Sequence, residues 1–169
     1  KIIYPEYTKL PEKIIKNTRQ ITAVEGSQLE FTFTLNKPVS TAKLVPREGF
    51  SVDLFVDNQY PNVYTTTINA IENQRYELKL TDEQGLTNKM PPRFVIDVHK
   101  NLPPEIIPQF PNRDVQVSPI EELALEAEVS DDYGLKSFGL TYNLAGSESK
   151  DITLEPAPEP KDKQQTQYL

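Results

Sequence analysis

This chain has 169 residues, 15 prolines, no cysteine and a formal net charge of −7. The lack of cysteine excludes disulfides, thiolate metal sites and cysteine nucleophiles, and no apolar run reaches the roughly 20 residues of a membrane-spanning helix. Residues 101–169 hold 13 acidic and 5 basic side chains, and this acidic half argues against binding to nucleic acid, whose phosphates it would repel.

Alternating apolar and polar residues run along most of the chain, and this period of two predicts β-strands. The clearest run is Gln28–Leu35, in which four apolar side chains point to one face: Leu29, Phe31, Phe33 and Leu35. Similar runs predict strands at 51–56, 63–70, 75–80, 93–99, 122–129 and 136–143. No segment has the clear pattern of a helix, so we predict an all-β fold.

Two short acidic stretches separate some of these strands: T-D-E-Q-G-L at Thr81–Leu86 and S-D-D-Y-G-L at Ser130–Leu135. An aspartate that accepts bonds from the backbone following it, together with a glycine at positive φ, is what a tight turn requires. We therefore predict turns at both places.

The chain also resembles itself at an offset of 94 residues. At this offset Arg19 lies over Arg113 and Leu29 over Leu123, and the inward-facing positions are preserved without a gap. A repeat of this length is the size of an immunoglobulin-like sandwich. We predict two tandem immunoglobulin-like β-sandwiches. The alternative is one sandwich that contains a similar strand pair twice.

The repeat divides the chain into a lead-in at 1–12, a first sandwich at 13–100, a linker at 101–104 and a second sandwich at 105–169. The last two strands of the second sandwich would fall near or after residue 169, so we predict that this sandwich is incomplete. The proline-rich stretch at 154–165 is predicted as a loop, and T-Q-Y-L after it as the start of a strand.

The opening Y-P-E-Y-T-K-L-P, followed by K-N-T-R-Q-I-T-A-V-E-G-S, resembles a pattern in large, mostly uncharacterised bacterial envelope proteins. There a P-x-Y-T-x-L-P segment leads into an immunoglobulin-like domain, and S-D-D-Y-G-L-K-S-F-G-L-T-Y looks like that family's next domain. The resemblance implies a membrane-anchored parent protein, an extracytoplasmic location in the periplasm or on the cell surface, and no catalytic residues. Because the sequence begins with Lys1, we expect a soluble piece of such a protein, without membrane contact of its own.

A second part of the chain is more loosely similar in layout to the last hairpin and linker of cadherin-type repeats, which bind Ca²⁺. This part is L-K-L-T-D-E-Q-G-L followed by F-V-I-D-V-H-K-N-L-P-P-E-I. Calcium takes six to eight oxygen ligands. The candidate ligands at the interdomain junction are Asp82, Asp97 and Asn101 together with Asp131 or Asp132, with Glu83 and Glu105 as further oxygen donors. However, His99 and Lys100 stand where that family has acidic or amide ligands, and each acid also fits a turn or a solvated surface.

Few residues favour catalysis. His99 is the single histidine, and the sequence has neither a G-x-S-x-G nucleophile motif nor a glycine-rich phosphate loop. Glu121 and Glu122 are adjacent, so on the strand predicted at 122–129 they would point to opposite faces rather than act as a carboxylate pair. We predict no enzyme activity and no cofactor.

Four aromatic residues surround the loop D-N-Q-Y-P-N-V-Y: Phe50, Phe55, Tyr60 and Tyr64. Exposed rings on a β-sandwich would stack on sugars, but Phe55 and Tyr64 fit a core position equally well, and tryptophan is absent.

From these patterns together we expect a non-catalytic structural or adhesive module with a protein partner. The alternatives are a module that binds Ca²⁺ at the interdomain junction or one that binds carbohydrate.

Overall fold

The computed structural model describes residues 1–118, 121–143, 146, 148–154 and 165–168. The chain divides into two compact units, Lys1–Asn101 and Leu102–Leu169. Apart from a 3₁₀ turn at Glu6–Thr8, the regular structure of the described residues is β-strand. The prediction of an all-β fold is confirmed. No helix in the described part is long and apolar enough to cross a membrane.

Unit 1 contains nine strands in two sheets. The strands are β1 (Ile2–Ile3), β2 (Gln20–Val24), β3 (Gln28–Thr34), β4 (Thr41–Pro46), β5 (Val52–Asp53), β6 (Phe55–Val56), β7 (Val63–Asn69), β8 (Gln74–Thr81) and β9 (Arg93–His99). The first sheet has the order β1-β3-β7-β6, and the second has the order β2-β9-β8-β4-β5. Only β2 and β9 pair in parallel; every other pair in this unit is antiparallel.

One hydrophobic core lies between these two sheets. Leu29 on β3 comes from the first sheet, and Leu44 on β4 and Ile96 on β9 come from the second; all three are almost completely buried in the same cluster. The rings of Phe33 and Phe94 meet edge to face, 5.3 Å apart, and so join β3 to β9 across the layers. Two sheets that bury their inner faces against each other form a β-sandwich.

Residues 1–12 are part of this sandwich. β1 pairs with β3, and Ile2 exchanges backbone hydrogen bonds with Lys13. The Lys1 α-ammonium donates to the Glu30 carbonyl at 2.7 Å. Farther along, the Tyr7 hydroxyl donates to the Glu25 carbonyl at 3.0 Å. The lead-in is therefore fixed to the sheet by backbone groups as well as by side chains.

One predicted strand of unit 1 differs in the structure. The run at 51–56 is divided into β5 and β6, which lie in different sheets, and the buried Leu54 stands between them. Edge strands that switch sheets are a common way to close a sandwich corner. β1, β2 and β4 were not among the predicted strands; the alternation of β4 covers only Thr41–Leu44 before Val45 and Pro46.

Unit 2 contains five described strands: β10 (Glu105–Phe110), β11 (Glu126–Ser130), β12 (Phe138–Tyr142), β13 (Lys150–Leu154) and β14 (Gln165–Tyr168). They form one sheet of order β10-β11-β14 and a second sheet of β12 and β13, and all pairs are antiparallel. Val129 is the one apolar side chain of this unit that is buried among the described residues.

The outcome of the predictions for unit 2 is mixed. The strand expected at T-Q-Y-L is confirmed by β14, whereas the strand expected at 122–129 begins only at Glu126. β10 and β13 were not predicted. The offset of 94 places β2 over residues 114–118, which form no strand. The loop predicted at 154–165 lies almost entirely outside the described residues.

Candidate functional site

The acidic stretch at Thr81–Leu86 is a tight turn between β8 and β9. The Asp82 carboxylate accepts hydrogen bonds from the backbone N–H of Leu86 at 2.9 Å and of Gln84 at 3.0 Å, and Gly85 has a φ of +79°. The other carboxylate oxygen accepts from the Lys37 ammonium at 3.0 Å. The Leu86 hydrogen bond, followed by the Lys37 interaction, holds the pKa of Asp82 below its ordinary value. The predicted turn is confirmed.

The second acidic stretch makes its turn in the same way. The Asp131 carboxylate accepts a hydrogen bond from the Tyr133 backbone N–H at 2.9 Å. Gly134 has a φ of +92°, a conformation that glycine adopts at low cost. This turn is also confirmed, and it connects β11 to β12. The two stretches share local turn chemistry rather than a common place in a repeat.

The calcium candidates of unit 1 are not brought together. Asp82 directly follows the end of β8, and Asn101 lies just after the end of β9. Because these two strands are antiparallel, the two residues stand toward opposite ends of the sheet, at least the length of β9, about 20 Å, apart. Asp97, in β9, accepts from the Gln20 side-chain amide at 3.0 Å, and the Asn101 backbone N–H donates to the Glu25 carboxylate at 3.3 Å. Asp82 and Asn101 therefore do not share one ion site.

In the part of the chain that the structure describes, no three acidic or histidine side chains form a group that could hold a metal ion. A site combining Asp97 or Asn101 with Asp131 or Asp132 stays a prediction.

The residues considered for catalysis have structural contacts. The His99 carbonyl, at the end of β9, accepts a hydrogen bond from the Glu25 N–H at 2.8 Å. The Glu121 carboxylate accepts from the Ser118 N–H at 3.1 Å and belongs to a turn rather than a strand. Contrary to the prediction, Glu121 and Glu122 therefore do not alternate faces along a strand, because β11 begins only at Glu126.

The four aromatic candidates for sugar binding fall into two groups. Tyr64 is a core residue, and its hydroxyl bonds to the Val39 backbone. Phe50, Phe55 and Tyr60 are exposed, Phe50 to 96%. Ring contacts in the described chain join Phe31 to Phe33 and Phe33 to Phe94, and neither contact includes the exposed rings.

The most unusual surface lies on β10, and the sequence reading did not identify it. All six residues of this strand are exposed, including Ile106 (62%), Ile107 (45%) and Phe110 (50%). Apolar side chains in a strand normally pack on a core, so three exposed large apolar residues in one strand mark a surface with room for a partner.

The pairing of β10 with β11 places acidic residues beside two of these apolar side chains, whereas Ile106 lies opposite Val129 on the other face of the sheet. Ile107 lies opposite Glu128 and Phe110 opposite Glu126, while Glu105 begins the strand. Directly opposite residues in an antiparallel pair share a face of the sheet. We call these five residues the acidic strand face: Glu105, Ile107, Phe110, Glu126 and Glu128.

The carboxylates of this face have no cationic partner among the described residues. Glu128 accepts a weak hydrogen bond from the Gln109 side-chain amide at 3.4 Å, but no described lysine or arginine forms an ion pair with Glu105, Glu126 or Glu128. The face therefore combines exposed apolar area with negative charge that no cation of the described residues compensates.

β10 is also an edge strand with a broken ladder. It stands at the end of its three-stranded sheet, Pro108 lacks an N–H, and the register shifts between Pro108 and Phe110. Proline and bulges are devices that prevent continuous edge-to-edge pairing. Recognition at this place would therefore depend on side chains more than on a long backbone ladder.

Comparison with known proteins adds no family to this description. The sequence matches no protein-family model and no curated protein. The resemblances to bacterial envelope proteins and to cadherin-type repeats stay predictions.

Proposed function

We propose that this chain is a non-catalytic, extracytoplasmic structural and protein-interaction module built from immunoglobulin-like sandwiches. Unit 1 would act as a rigid spacer, and the acidic strand face of unit 2 would contact a protein partner. The observation that carries the proposal is the exposure of all six β10 residues, among them Ile107 and Phe110 on the acidic strand face.

The strand order of unit 1 supports the immunoglobulin-like assignment. When β1, β3, β6 and β7 are lettered A, B, D and E, the first sheet has the order A-B-E-D. In the second sheet, β9, β8 and β4 then correspond to G, F and C, with β2 beside G and β5 beside C. Immunoglobulin domains have an A-B-E-D sheet facing a sheet with C, F and G, which gains a further strand beside C in the variable type.

The extracytoplasmic location rests on the resemblance to envelope proteins, and the opening motif that carries this resemblance has a structural role in unit 1. The motif folds as one element: Thr8 is buried, and its hydroxyl donates to the Pro5 carbonyl at 2.8 Å. The Pro5 ring lies against Gly26, whose φ is +83°, so that a side chain there would be in contact with it. The P-x-Y-T-x-L-P segment and the glycine turn quoted for the envelope-protein resemblance therefore pack on each other, which favours a shared domain architecture.

A photo-cross-linking experiment in the cells that make this protein tests the interaction. A photoreactive amino acid would replace Ile107 on the acidic strand face, and Ile71 on the β7–β8 loop would serve as the control, because it is apolar and exposed to 65%. We expect a cross-linked protein adduct from position 107 and none from position 71. No adduct from position 107, or equal adducts from both positions, would overturn the proposed interaction.

A further inference from the structure

The acidic strand face restricts the chemistry of its partner. It presents Ile107 and Phe110 between three carboxylates, so a complementary surface needs apolar side chains flanked by lysine or arginine. An exposed, basic segment with large aliphatic residues would satisfy both requirements.

Unit 1 contains such a segment at residues 13–19, K-I-I-K-N-T-R, which we call the basic segment. It carries Lys13, Lys16 and Arg19 and no acidic residue. Ile14 is exposed to 70%, and Ile15 is exposed as well. The three cationic side chains form no ion pair among the described residues.

The backbone of the basic segment is also available. Lys13 pairs with Ile2, and β2 begins at Gln20. Between them, no backbone hydrogen bond of Ile14, Ile15 or Lys16 is formed within the described chain. Unpaired backbone next to exposed isoleucines leaves this segment free to contact a second surface, mainly through its side chains.

We propose that the basic segment of one copy of this chain binds the acidic strand face of a second copy. Isoleucine side chains would pack on Ile107 and Phe110, and Lys13 and Lys16 would lie against Glu105 and Glu128. This inference rests on the proposed function of the acidic strand face and names its occupant. The two surfaces are complementary, because both expose apolar side chains and their charges are opposite.

Charge reversal on the 169-residue chain tests this contact by sedimentation equilibrium. We expect the average mass of the wild-type chain to rise with protein concentration, and less so at high salt, because charge attraction is screened within about 3 Å at 1 M. K13E/K16E and E105K/E128K should each lower the association constant at least about tenfold. A matched control is K79E/K89E, which makes the same charge change at exposed lysines elsewhere on unit 1 and should associate as the wild type does.

Mixing the two double variants gives the decisive result. Each variant alone would place like charges across the contact. In the mixture, the basic segment of E105K/E128K meets the native acidic strand face of K13E/K16E, and the acidic segment of K13E/K16E meets the basic face of E105K/E128K. Association should therefore return in the mixture. Circular dichroism of each variant checks folding, and E105K alone, at a fully exposed site, serves if E128K disturbs the sheet.

A wild-type chain that stays monomeric at every concentration, or a K13E/K16E variant that associates like the wild type, would overturn the self-association. The photo-cross-link at position 107 then separates the two proposals. An adduct with a different protein would leave the proposed function standing and remove the second copy as occupant. A monomeric chain with no adduct would remove both.

Discussion

The hydroxyl of Tyr64 connects β7 to the loop between β3 and β4. It accepts a hydrogen bond from the Val39 N–H and donates one to the Val39 carbonyl, each at 2.9 Å. The ring is buried on β7, and Val39 packs against the same core. Tyr64→Phe keeps the ring and removes only the atom that makes both bonds.

The expected loss follows from those two bonds. A hydrogen bond inside a protein contributes about 1 kcal/mol net, and a donor that is left buried without a partner costs about 1–3 kcal/mol. Because Val39 is only partly buried, water would reach some of the freed groups. We expect the free energy of unfolding of unit 1 to fall by about 2 kcal/mol, which lowers its melting temperature by about 8 °C for a domain of this size.

Urea unfolding followed by circular dichroism measures the loss, and amide hydrogen exchange locates it at Val39. Tyr60→Phe is the matched control, because it makes the same chemical change at an exposed residue and should shift stability by less than about 0.5 kcal/mol. If Tyr64→Phe costs no more than Tyr60→Phe, or if exchange at the Val39 amide is unchanged, the hydroxyl does not anchor this loop.

Three further predictions concern local structure. The hydrogen bond from the Leu86 N–H, followed by the Lys37 ion pair, lowers the pKa of Asp82 below its ordinary value. Its stabilising effect is therefore full above the ordinary pKa of an aspartate and is lost as pH falls through the folded pKa; Asp82→Asn should flatten this acid limb in urea melts between about pH 6 and pH 2, and identical limbs would contradict it. Ser27→Ala should leave stability unchanged or raise it, because the buried Ser27 hydroxyl has no hydrogen-bond partner among the described residues; a thermal melt that falls by several degrees would show a hidden partner. Gly139→Ala would bring a Cβ to 2.6 Å from the Ile152 carbonyl oxygen and should cost about 1–3 kcal/mol, seen as faster amide exchange in β12 and β13; unchanged exchange would refute the close approach.

The sequence allowed the strands with clear alternation to be predicted, and the structure shows why others were missed. β3 places Leu29 in the core and Thr32 outside, as a period of two requires. β4 alternates only from Thr41 to Leu44 before Val45 and Pro46 interrupt the pattern, and β10 contains a proline and two adjacent isoleucines. The local chemistry of the two aspartate–glycine turns was fully predictable, because it depends on residues within the turn itself.

The candidate site was beyond this kind of prediction. E-I-I-P-Q-F specifies apolar residues but not whether another layer covers them, since cover depends on elements far away in the sequence. The position of the glutamates beside Ile107 depends on the register of β10 against β11, which alternation in one strand does not determine. Likewise, the separation of Asp82 from Asn101 depends on the direction in which β9 runs in the sheet, and this direction cannot be deduced from the positions of acidic residues in the sequence.

The distribution of ion pairs gives the charge asymmetry a physical meaning. The five ion pairs of the described residues all lie in unit 1, where 13 basic and 12 acidic residues precede position 101. Unit 2 has 13 acidic and 5 basic residues, and its described carboxylates have no such partners. Repulsion among uncompensated charges disfavours a compact state, so a cationic partner on the acidic strand face would relieve that repulsion as well as cover Ile107 and Phe110. A ligand that binds only the native state stabilises it; the same contact would therefore stabilise unit 2, and both effects should weaken together as salt is added.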